Sequence, residues 1–196
     1  FKDGEINIGL WKEVMIGLRE IGVKMEIENK EEFPINRKIT RESVQKFCEE
    51  FFKDRWVIDS ETGEKVKFFP YDHQIETAFQ ILRNRYCTAE VATAGGKSLI
   101  ISIVYFYILK YLKPNAKFLL IVPSITLVTQ FYDDILEYNF GKFKENKNPM
   151  DLRIQEIMSD KPRVWHGTGE PNIYISTFQS LSKISNFGRP FYLQFD

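Results

Sequence analysis

The chain has 196 residues, 43% of them hydrophobic and 15% aromatic, so it can bury a sizeable core and does not read as a disordered polymer. Lysine plus arginine and aspartate plus glutamate both number 27, which excludes a global basic footprint for nucleic acid while leaving room for a local one. The longest apolar run, 99–109, is too short for a bilayer span, and Cys48 and Cys87 lack metal-ligand spacing, so the reading is a reduced cytoplasmic protein with no membrane partner.

In chain order, the first predicted element is a helix over 9–21, with Leu10, Trp11, Val14, Met15, Leu18 and Ile21 on one face and Gly22 as its stop. Residues 23–28 alternate as a short strand, and a charged loop follows over 29–38. Thr40 caps the next helix, whose stripe is Val44, Phe47, Cys48, Phe51 and Phe52. Residues 56–58 and 66–69 flank a polar turn and predict a hairpin. The aromatic residues of this part fall at helical spacing and read as core.

From Pro70 the pattern becomes an alternation of helices and strands. A helix is predicted over 74–83, a strand over 86–91, a helix over 99–112 ended by Pro114-Asn115, and a strand over 117–122. Ser124 caps a helix with Leu127, Val128, Phe131, Tyr132 and Ile135 on one face. After a polar stretch, 139–153, come strands over 153–158 and 173–177 and a helix over 179–184. This order predicts an α/β fold with a parallel sheet covered on both faces and a ligand site at the carboxyl ends of its strands. Trp165, His166 and the Gly167-Thr168-Gly169 turn read as a plain loop.

Between the 86–91 strand and the following helix stands Ala92-Thr93-Ala94-Gly95-Gly96-Lys97-Ser98. Strand, glycine-rich turn, Lys-Ser and helix make a phosphate-binding loop. Gly95 and Gly96 let successive N–H groups of 93–96 turn inward on an anion, and the helix start adds its positive dipole end. Lys97 then supplies a cation to the terminal phosphates, and the Ser98 hydroxyl a ligand for Mg²⁺. The common pattern G-x-x-x-x-G-K-[ST] is matched at Gly96-Lys97-Ser98, while Val91 stands where its first glycine falls. A plain glycine turn beside a solvated lysine is the alternative.

The loop is followed by Ile121-Val122-Pro123-Ser124-Ile125-Thr126-Leu127-Val128-Thr129-Gln130 and then by Ile175-Ser176-Thr177-Phe178-Gln179-Ser180-Leu181. In that order the three segments resemble motifs I, Ia and Ib of superfamily 2 helicases. Upstream, Pro70-Tyr71-Asp72-His73-Gln74 resembles the superfamily's glutamine motif, and the form of the loop is most similar to the bacteriophage UvsW-type group of DNA helicases. The resemblance is good over 70–182 and loose over the first 60 residues.

It implies a RecA-like first motor domain over 61–196, preceded by a partial, small α+β accessory domain over 1–60 that contacts duplex or branched DNA. It implies ATP and Mg²⁺ as cofactors, held by Thr93, Ala94, Gly95, Gly96, Lys97 and Ser98, with Gln74 reading adenine. An aromatic stack of Tyr71 on the base is read from the residue itself, with ordinary helix-start roles for Tyr71 and Gln74 as the alternative. Pro123, Ser124 and Thr126, with Thr177, Gln179 and Ser180, are implied to grip one strand through its phosphates, with plain helix capping by Ser124 and Thr177 as the alternative. DNA is the implied partner, with RNA left open.

The superfamily's Asp-Glu pair has no counterpart after an apolar strand here, and Asp133-Asp134 falls inside a helix. The chain opens on Phe1 and closes on Asp196 without a closing element, so it reads as a piece cut before that pair and inactive as an ATPase alone. The expected function of the whole is an ATP-dependent DNA helicase or translocase acting in unwinding or branch migration. A restriction-type translocase and a non-catalytic binding module are the alternatives.

Overall fold

The computed structural model describes residues 11–23, 38–59, 61–84, 87–141, 146–157 and 170–185. Helix α1 (Trp11–Glu20) is followed by α2 (Arg41–Phe51) and a hairpin of β1 (Trp56–Ile58) and β2 (Lys65–Lys67). Then come α3 (Asp72–Arg83), α4 (Lys97–Tyr107), β3 (Phe118–Val122), α5 (Ile125–Phe140), β4 (Ile154–Ile157), β5 (Ile173–Thr177) and α6 (Phe178–Ser185). Residues Ile108–Leu112 continue α4 as one π-helical turn.

Strands β3, β5 and β4 form a parallel sheet in that spatial order. Every residue of β5 is buried, as a central strand covered on both faces requires, and its sequence Ile173-Tyr174-Ile175-Ser176-Thr177 carries no charge. Val122 pairs with Thr177 and Ile157 with Ser176, so the three strands reach their carboxyl ends nearly level. The α/β class with a parallel sheet is thus the observed one.

Helix α5 lies against all three strands, and α4 lies between α5 and α3. One hydrophobic cluster runs through the molecule, and it includes Val44, Phe47, Phe51 and Phe52 from the N-terminal part as well as Ile103, Phe106, Ile135, Ile154 and Ile175. The Phe47 ring meets Tyr107 edge-on at 5.7 Å, and Phe51 meets Phe106 at 5.0 Å. Helix α2 is therefore seated on α3 and α4, and the core continues across residue 60. Cys48 is fully buried in this layer, and burial pushes its thiol up to about 12, so it acts as a small apolar filler.

The predicted strand before the 92–98 loop is not present among the described residues. Residues 87–92 join no ladder, and Cys87 through Glu90 are exposed. The run alternates apolar side chains with Thr88 and Glu90, which suits neither a strand buried on both faces nor a helix. The hairpin and the helices from α2 onward fall close to their predicted places. Residues 24–28 of the strand expected at 23–28, and the 165–169 turn, lie outside the described residues.

Candidate nucleotide and nucleic-acid site

Residues 92–96 fold back on themselves before α4 begins. The Gly95 N–H donates to the Ala92 carbonyl at 3.0 Å, and the Lys97 ammonium donates to the same carbonyl at 2.8 Å. Ala94 and Gly96 both have left-handed backbone, at φ 64° and 76°. Alternation of left-handed residues with a flexible one is how a chain turns consecutive N–H groups to one side. Gly96 is also the residue that caps α4, where the Ile100 N–H bonds its carbonyl at 3.1 Å.

Neither glycine of the turn can be enlarged freely. A Cβ on Gly96 would stand 2.2 Å from the Gln74 amide nitrogen, and one on Gly95 would stand 2.7 Å from a Val91 methyl. The loop is therefore shaped by close approach from both sides.

Gln74 is buried in the first turn of α3, and both ends of its amide are engaged. Its Oε1 accepts from the Tyr71 N–H at 2.9 Å, which satisfies an orphan donor at the helix start, and its Nε2 donates to the Gly95 carbonyl at 3.2 Å. His73 Nε2 lies 3.3 Å from the same carbonyl. A base read by Gln74 must displace one of these bonds. The Tyr71 ring is exposed and stacks on His73 at 5.8 Å and 15°, next to the loop. The structure thus brings Tyr71 and Gln74 together with Gly95, Gly96 and Lys97, while Thr93 and Ala94 sit exposed on the turn.

Ser98, in the first turn of α4, is half-buried. Its hydroxyl lies 3.3 Å from the Tyr138 phenol oxygen, and its carbonyl accepts from Ser102 at 2.8 Å. Burial, the larger influence, raises the Tyr138 phenol above its ordinary value while the bond to Ser98 lowers it, so the group stays protonated at neutral pH. Sequence reasoning did not single out Tyr138. Its one signal is position, one helical turn beyond Ile135 on the face that includes Phe131.

At the carboxyl ends of β3 and β5 the two helix starts stand side by side, since Val122 and Thr177 are register partners. Ser124 Oγ accepts from the Leu127 N–H at 3.3 Å. Thr177 Oγ1 accepts from the Ser180 N–H at 3.2 Å and donates to Ser180 Oγ at 3.0 Å. Both are N-caps. The buried Thr177 hydroxyl spends its proton and one lone pair inside the chain, whereas Ser124 and Ser180 retain a proton to donate outward. Pro123, Thr126 and Gln179 are exposed around them.

A loop curled by left-handed residues at the head of a helix, bridged by its own lysine and backed by a glutamine, suits the tail of a nucleotide. The parallel sheet with helices packed on it places the chain among α/β proteins. The DEAD/DEAH box helicase family pattern matches residues 71–194, from Tyr71 through α3 to α6, and the chain belongs to that family. It is 29% identical over 181 aligned residues to the ATP-dependent DNA helicase uvsW of Enterobacteria phage T4, an alignment covering 72% of this chain and 36% of the relative.

Two solved structures share the fold with a TM-score of 0.61 at 20% identity over 90% of this chain. One is the crystal structure of the UvsW helicase from bacteriophage T4, of which 55% is covered, and the other that of T4 UvsW, of which 32% is covered. The chain therefore spans about a third to a half of the length of these relatives. Among the described residues no helix is long and apolar enough to cross a membrane.

Proposed function

We propose that this chain supplies the ATP-binding half of a DNA helicase or translocase motor, with residues 61–196 as the bulk of the motor domain, α2 packed into the same core, and the residues before α2 as part of an accessory region. The observation that carries the reading is the loop at 92–98, cross-tied to α3 through Gln74 and crossed by the Lys97 ammonium. Its donor set fits a nucleotide. The turn offers backbone N–H groups, Lys97 offers a cation released from a mere carbonyl partner, and Ser98 offers a hydroxyl at the helix start.

In this reading Gly95 and Gly96 shape the cradle, and Lys97 exchanges the Ala92 carbonyl for the more strongly accepting phosphate oxygens. Ser98 holds Mg²⁺, and Tyr71 and Gln74 line the base side. Bound ATP with Mg²⁺ supplies the phosphoryl chemistry that drives the motor cycle. Ser124 and Ser180, with the first-turn N–H groups of α5 and α6, hold backbone phosphates of one DNA strand without reading sequence. The full protein then acts by closing and opening two motor domains around the nucleotide.

The test is Lys97→Ala. Removing an exposed cation whose bond runs to a surface carbonyl should leave the melting temperature within a degree or two. Affinity for a fluorescent ATP analogue should fall at least ten-fold by loss of a charge-assisted contact. Unwinding by the full protein should cease. Unchanged nucleotide binding in this variant defeats the reading. The isolated 196 residues are expected to bind nucleotide without turning it over; steady-state turnover that Lys97→Ala abolishes would contradict this.

A further inference from the structure

We infer that Tyr138 is a positioning residue for the Ser98 hydroxyl and that Arg55 holds Tyr138 in place. The inference rests on the reading of Ser98 as the Mg²⁺-side residue of the loop, and goes beyond it. A serine hydroxyl has one proton and two lone pairs. It presents a lone pair to a cation cleanly only when its proton is committed to an acceptor elsewhere. The Tyr138 phenol oxygen, 3.3 Å from Ser98 Oγ and delivered from a different helix, is such an acceptor.

The tyrosine is in turn fixed from behind. It lies in the last turn of α5, where the Gly141 N–H closes the helix on the Glu137 carbonyl at 2.7 Å. The Arg55 guanidinium donates through Nη1 to the Glu137 carbonyl at 3.3 Å and through Nη2 to the Tyr138 carbonyl. Arg55 is 5% exposed, and its own carbonyl accepts from Phe68 at 3.1 Å at the base of the hairpin. A cation at a helix carboxyl end is favourable on its own account, and its planar fork restricts where that end can move. The result is a continuous line of contacts from the hairpin base through Arg55 and Tyr138 to Ser98. The far end of that line is one oxygen of the loop.

Tyr138→Phe keeps the ring and removes only the hydroxyl, donor and acceptor together. The measurement is affinity for a fluorescent ATP analogue with Mg²⁺ and with EDTA, alongside a thermal melt, in wild type, Tyr138→Phe and Lys97→Ala. In Tyr138→Phe the advantage conferred by Mg²⁺ should shrink about five-fold, the size of one ordinary hydrogen bond, while the EDTA affinity and the melt stay at wild-type values. Arg55→Met should reduce the same advantage in the same direction, with a lower melt.

If Tyr138→Phe weakens both arms equally and lowers the melt, the hydroxyl is merely structural and the inference fails. If the Mg²⁺ advantage is untouched, it also fails, with the loop reading intact. A wild type without any Mg²⁺ preference, or a Lys97→Ala chain that binds like wild type, overturns the loop reading itself and the inference with it.

Discussion

The 92–98 loop and the strand ends both gather polar groups at the start of helices, but they do so in opposite ways. At the loop the bonds cross between elements: Gln74 of α3 holds Gly95, and Lys97 of α4 returns to Ala92. At the strand ends each hydroxyl serves the helix it introduces, Ser124 for α5 and Thr177 for α6. The first arrangement needs particular residues at particular places, because groups from separate segments meet at a few ångströms. The second needs only a residue able to cap. Damage at the loop should therefore spread across elements, and damage at the strand ends should stay local.

Gly96→Ala is the largest expected effect. A Cβ there requires left-handed backbone at φ 76° and lies 2.2 Å from the Gln74 amide. The backbone strain costs about 1 kcal/mol or somewhat more. Expelling the amide forfeits its bonds to Tyr71 and Gly95, each about 1 kcal/mol. The sum, roughly 2–4 kcal/mol, should appear in urea denaturation, accompanied by loss of protection at the Tyr71 amide in hydrogen exchange. If Gly96→Ala costs no more than an ordinary cap deletion, the loop is not cross-tied and the contrast collapses.

This difference also explains what could be read from residues alone. The stripes of α2 and α5, the caps Thr40 and Ser124, and the hairpin are local properties with a period or a neighbour three residues away, and all were legible. Gln74 was legible as a glutamine motif but not as a clamp, because its partner Gly95 is 21 residues distant. Tyr138 contacts Ser98 across 40 residues, and no local pattern reports such a meeting. The apolar stripe of α2 was visible, but a stripe does not say what it covers. Here it covers α4 through Phe47 and Phe51, so the aromatic residues of the N-terminal part share a core with the family region. The strand expected at 86–91 was over-read from a mixed run whose middle is exposed.

The strand-end side is sharpened by comparing its two caps. Thr177→Val removes a hydroxyl that accepts from Ser180 N–H and donates to Ser180 Oγ at a buried position. It should cost about 1–3 kcal/mol in a denaturant melt, since the donor it leaves has little access to water. Ser124→Ala removes an exposed cap, and water can replace it, so about 1 kcal/mol or less is expected. Neither change should alter the affinity for a nucleotide analogue, whereas Gly96→Ala should. A cap deletion that weakens nucleotide binding as much as the loop variant would show that the two ends are energetically one site.

The smallest effect lies at the other end of the same strands. Lys117 immediately precedes β3, Glu170 stands three residues before β5, and their ammonium and carboxylate meet at 2.9 Å. The hydrogen bond from Lys117 holds the Glu170 carboxyl below its ordinary value of 4.5, and the same bond raises Lys117 above 10.5. A lowered carboxylate contributes stability above its unfolded value and loses it as pH falls through the folded one; a raised ammonium contributes below 10.5 and loses it as pH climbs past its folded value. The contribution is therefore flat through neutrality and fades at both the acid and the alkaline edge. Glu170 is largely exposed, so the gain is small and salt diminishes it. Lys117→Met should raise the Glu170 titration toward 4.5 in a carboxyl-resolved NMR experiment, and leave the melt at pH 7 in high salt unchanged. A Glu170 titration indifferent to Lys117 would mean that the amino ends of β3 and β5 are joined by the sheet alone.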